Sequence, residues 1–78
     1  MTETYYVLVD EQAGETIDNP RGIFRERVDE TGAYLELWEH GEWVDRRSIL
    51  AGYVLQGEPG AERIDPDRAA ELIARTGG

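Results

Sequence analysis

Arg21-Gly22-Ile23-Phe24-Arg25-Glu26-Arg27-Val28-Asp29-Glu30-Thr31-Gly32-Ala33-Tyr34-Leu35-Glu36-Leu37-Trp38-Glu39-His40-Gly41-Glu42-Trp43-Val44 is the stretch that decides the fold. It holds two runs of alternating apolar and polar residues separated by Asp29-Glu30-Thr31-Gly32, and a third run follows His40-Gly41. A period of two is that of a half-buried strand, and Asp/Gly and His-Gly breaks between such runs are hairpin turns. Strands are predicted over 21–28, 33–39 and 42–45. Pairing Val28 with Ala33 sets Phe24 opposite Leu37, Arg25 opposite Glu36, Arg27 opposite Tyr34 and Ile23 opposite Trp38. Closing the second hairpin on His40-Gly41 then pairs Leu37 with Val44 and Trp38 with Trp43. Phe24, Val28, Ala33, Leu35, Leu37 and Val44 share one face in this register. Slipping either hairpin by one residue would move charges among them, so the alternation itself specifies the register.

Upstream, Tyr5-Tyr6-Val7-Leu8-Val9 is apolar without alternation, as expected of a central strand covered on both faces, and a strand is predicted over 4–9. Residues 10–20 read as an acidic, solvated loop ending in Asn-Pro, with Ile17 expected to pin its middle. Downstream, 45–55 fits a short helix near 46–52 opened by Asp45, leading into a chain that packs Tyr53 and Leu55; Gly52 argues against a longer helix. Residues 56–60 form a turn. The final helix, 66–75, has Asp65 as N-cap, Pro66 in its first turn, and Ile64 placed to staple against Ala69. Ala69, Leu72 and Ile73 form its apolar stripe, Glu71 and Arg75 stand at ion-pair spacing, and 76–78 is a frayed tail. The expected architecture is a single α+β domain spanning 1–78, with a small antiparallel sheet of three or four strands packed by the C-terminal helix.

Composition bounds the function. In 78 residues, 17 acidic and 8 basic side chains give a net charge of −9, and every basic residue is arginine. Such a surface repels nucleic-acid phosphates and anionic lipid, so no direct nucleic-acid partner and no membrane partner are expected. The absence of cysteine removes disulfides and sulfur-based metal sites, and one histidine makes a transition-metal site improbable. The carboxylates Asp10, Glu11, Glu15 and Asp18 do not follow calcium-loop spacing. The first residues carry no basic segment leading into an apolar run, and no long apolar run follows, so the expected location is the cytoplasm. Ser48 has no oriented base beside it, the glycines follow no phosphate-loop pattern, and neither catalysis nor a cofactor is expected.

One surface draws attention. Opposite the apolar face of the meander lie Ile23, Arg25, Arg27, Tyr34, Glu36, Trp38 and Trp43. Tyr, Trp and Arg are enriched in protein interfaces because rings bury large areas at small entropy cost and guanidinium planes stack on them. The competing expectation is that the C-terminal helix covers this face and the tryptophans are core. The leading functional expectation is a non-catalytic binding or regulatory module that associates with a protein partner, most simply as a homodimer, through this face or a strand edge. Two alternatives stand beside it: an acidic decoy for a basic nucleic-acid-binding protein, and a ligand-binding protein or small enzyme with its site at a subunit interface.

Overall fold

The computed structural model describes residues 1–75; the tail expected at 76–78 lies outside the described residues. A five-stranded antiparallel sheet is built from β1 (Thr2–Leu8), β2 (Gly22–Asp29), β3 (Gly32–Glu39), β4 (Glu42–Asp45) and β5 (Ala61–Ile64), in the order β4-β3-β2-β1-β5. Helix α1 (Arg47–Leu55) links β4 to β5, and helix α2 (Pro66–Arg75) follows β5. The fold class is α+β, as the alternation implied.

The meander register is the one that the sequence pattern requires: Phe24 pairs with Leu37, Arg25 with Glu36, Arg27 with Tyr34, Val28 with Ala33, Leu37 with Val44 and Trp38 with Trp43. The tight turn at His40-Gly41 has both residues at positive φ, 51° and 82°, whose twist suits a two-residue hairpin. At the other turn the Asp29 carboxylate accepts the Thr31 N–H at 2.8 Å, replacing a backbone partner that the bend removes.

The sheet has one strand more than expected. β1 lies inside it, between β2 and β5, with Tyr5 opposite Ile64 and Leu8 opposite Ala61. Both of its faces are covered: Val7 packs with Ile23, Ile64, Ala69 and Leu72 under α2, whereas Leu8 packs with Phe24, Leu35 and Leu50 under α1. That is why Tyr5–Val9 shows no alternation. Ile64 and Ala69 join the same cluster, as the staple at the start of α2 requires, and Asp65 accepts the Arg68 N–H at 2.9 Å.

Four expectations are corrected. The chain after Gly52 stays helical, so Tyr53 packs from α1 onto Phe24 with ring centroids 6.1 Å apart, and Leu55 ends the helix 72% exposed. Helical geometry turns Leu50 and Tyr53 inward and leaves Leu55, two positions on, facing water. Arg46 occupies the cap position of α1, and Asp45 contributes by accepting the Arg47 N–H at 3.0 Å. Ile17 is exposed rather than pinned, because the acidic loop is organised locally by a 3₁₀ turn at Glu11–Ala13 and a Thr16–Asn19 bridge. Glu71 pairs with Arg68 instead of Arg75, whose guanidinium reaches across to the Asp18 carbonyl.

Candidate functional site

Alternation places Ile23, Arg25, Arg27, Tyr34, Glu36, Trp38 and Trp43 on the sheet face that α2 packs against. The ten-residue α2 is too short to span it. At the β1/β5 end it covers Val7, Ile23 and Ile64, so Ile23 is core, 4% exposed, and not a surface residue. Toward β3 and β4 the face carries no helix among the described residues, and Arg25, Arg27, Tyr34, Glu36, Trp38 and Trp43 are half-buried. Each tryptophan ring leans on the α2 cluster and keeps some surface, so the helix covers neither fully.

The half-open region is an ordered lattice of rings and ion pairs. Trp38 and Trp43 meet edge to face across the β3–β4 ladder, with centroids 5.1 Å apart at 63°, and Tyr5 reaches Trp43 at 6.1 Å. The Arg25 guanidinium lies 4.3 Å over the Trp43 ring, and that of Arg27 lies 4.4 Å over Tyr34. Both arginines converge on one carboxylate. Arg25 Nε donates to Glu36 Oε1 at 2.8 Å, Arg27 Nε to the same oxygen at 3.3 Å, and Arg25 also reaches Glu3 at 3.3 Å. Glu3 in turn accepts the Tyr5 hydroxyl at 2.8 Å, and Arg27 is paired with Asp29.

Burial pushes the Glu36 carboxyl upward, but the hydrogen bonds from Arg27 and Arg25 outweigh it and hold the group below its ordinary value. Burial, then the bond to Glu3, pushes the Tyr5 phenol up. The charges on this face are thus held in place by contacts within the chain. The tyrosine Tyr5 belongs to the patch although the meander alone did not reveal it; its apolar run pointed to a central strand, and only the β1–β2 register, Tyr5 opposite Arg25, puts it here.

Beside this lattice, sharing Trp38 with it, a cleft of about 430 Å³ opens between the 18–22 segment, the end of β3 and the end of α2. Trp38 walls it together with Arg21, His40 and Arg75, residues that no sequence spacing connects. Among the described residues, no group of three or more His, Asp or Glu side chains is placed to hold a metal ion. Nor is any described helix long and apolar enough to cross a membrane. Comparison with protein-family models, curated proteins and solved structures finds no match.

Proposed function

We propose that the protein is a non-catalytic binding module of the cytoplasm that associates with a second copy of itself through the part of the sheet face left open by α2. The carrying observation is the lattice of Trp38, Trp43, Tyr5 and Tyr34 with Arg25 and Arg27, half-buried beside a helix too short to cover it. Rings and guanidinium groups already fixed in place lose little freedom on docking, which favours association.

Two considerations favour a like copy. A two-fold interface needs a patch complementary to itself, and here arginines alternate with Glu3 and Glu36, so each sign meets the other when copies face one another. Their local neutralisation also spares this patch the repulsion that a net charge of −9 imposes elsewhere. An interface of ordinary size buries about 800 Å² on each partner, roughly a sixth of the 5105 Å² of accessible surface here. The strand edges are weaker candidates. β4 and β5 are each four residues long and carry Glu42, Asp45, Glu62 and Arg63, the short charged form that discourages edge pairing.

Sedimentation equilibrium over a concentration and salt series tests the reading. A dimer that persists at high salt is expected, with Trp43→Ala weakening association by at least about tenfold while the monomer still unfolds cooperatively. A monomer at every concentration, or a dimer indifferent to Trp43→Ala in a folded chain, would sink it.

A further inference from the structure

The cleft beside Trp38 has the size and the lining of a small-molecule site. Its volume of about 430 Å³ lies within the roughly 300–1,000 Å³ in which proteins hold ligands. Ile23, Leu72 and Trp38 give it an apolar floor, and Arg21, His40 and Arg75 line its polar side.

Three features distinguish it from an ordinary surface depression. The first is charge. In this acidic chain Arg25, Arg27, Arg46 and Arg68 are held by carboxylates, and Arg47 and Arg75 by backbone carbonyls. Arg21 and Arg63 have no such partner among the described residues, and of the two it is Arg21 that stands at the cleft. Arg75 gives one N–H to the Asp18 carbonyl and has further donors in its fork. The Asp18 carboxylate, which would repel an anion, is paired with Arg68. The second feature is backbone conformation: His40 is the one non-glycine residue at positive φ, 51°, among those described, and the tight turn holds it beside the cleft. The third is an orphan donor. The Trp38 indole N–H is buried without an acceptor among the described residues. An acceptor that reaches this N–H from the cleft gains a hydrogen bond without displacing one.

We infer that this cleft binds a small organic carboxylate with a flat apolar body. The guanidinium of Arg21 and the remaining donors of Arg75 take the carboxylate, a geometry suited to a planar anion, and the body lies against Trp38, Ile23 and Leu72. An inorganic anion would leave the apolar floor unused, and a neutral ring would leave the arginines unused.

Benzoate is a sufficient probe, with benzamide and inorganic phosphate as controls, followed by the two indole N–H signals in ¹⁵N–¹H spectra of the whole chain. Benzoate is expected to move the Trp38 signal saturably in the millimolar range and the Trp43 signal less; Arg21→Gln, a change at an exposed residue, weakens it about tenfold. Both controls are expected to bind at least about tenfold more weakly than benzoate. An unsaturable response, equal binding of either control, or an Arg21→Gln titration matching the parent overturns the inference. Arg21 lies outside the ring lattice, so sedimentation of Arg21→Gln reports on self-association independently of this result.

Discussion

Glu36 is the residue on which the open face turns. Its carboxylate, 13% exposed, accepts from both Arg25 and Arg27, and those bonds overcome the burial that would otherwise raise its pKa. A carboxyl whose folded pKa is depressed contributes stability that is present above its unfolded value, near 4.5, and is lost as pH falls through the folded value. Glu36→Gln is therefore expected to lower stability at neutral pH by about 1–3 kcal/mol and to flatten the loss below pH 4.5. Urea titrations of both chains between neutral and acid pH measure the difference, and parallel curves would show that the carboxylate adds nothing beyond its shape. This pairing was legible in the sequence, because an i-to-j register across one hairpin sets Arg25 opposite Glu36. The arginine-over-ring contacts and the convergence of two guanidinium groups on one oxygen were not, since they depend on side-chain rotamers that alternation does not specify.

At the scale of the element, α1 shows why some segments read ambiguously. Gly52 lowers helix propensity in its middle, and Ile49 and Leu55 look like core residues yet face water, so the pattern favours a short helix that stops near Gly52 and a packed chain beyond it. Tertiary packing decides it: Leu50, Ala51, Tyr53 and Val54 together cover Phe24, Leu35 and Leu37. β5 was missed for a related reason. Ala61-Glu62-Arg63-Ile64 is an edge strand with two adjacent charges, and its alternation is too short to stand out. A signal existed in β1, whose central position requires a neighbour on each side. The meander supplies β2 alone. Within α1, the atoms nearest to a Cβ at Gly52 would be those of the Glu58 carboxylate, the far end of an exposed and flexible side chain. Gly52→Ala is therefore expected to raise stability by about 0.5–1 kcal/mol, visible as a higher thermal midpoint. A lower midpoint would mean that Glu58 is held against the helix more firmly than an exposed side chain should be.

Over the whole molecule, one sheet separates two small cores. Val7, Ile23, Ile64, Ala69 and Leu72 lie on the α2 side, and Leu8, Phe24, Leu35 and Leu50 on the α1 side. β1 and β2 contribute to both, so neither core can be lost alone without exposing strands that the other needs. Leu50→Ala and Leu72→Ala are each expected to cost about 2–5 kcal/mol and to shift a single transition reported alike by far-ultraviolet circular dichroism and tryptophan fluorescence. Separate transitions for the two probes would show the layers to be independent. The meander and its register could be read from the sequence, and so could the closing helix. The division of one face between a covered half and an open half could not, because it follows from where α2 docks on β1, which the helix's own sequence does not specify.

The pairing of β1 with β5 also has a consequence for the order in which the molecule is completed. The meander β2-β3-β4 and its partner β1 can assemble as the chain emerges from a ribosome, whereas the strand that closes the far side of β1 is added only with Ala61–Ile64. Until then the Tyr5-Tyr6-Val7-Leu8 run presents an open hydrogen-bonding edge and an uncovered Val7 to any other extended chain nearby. Ile64 of β5 and Ala69 and Leu72 of α2 bring three of the four buried side chains with which Val7 packs, so that side of the core is completed last.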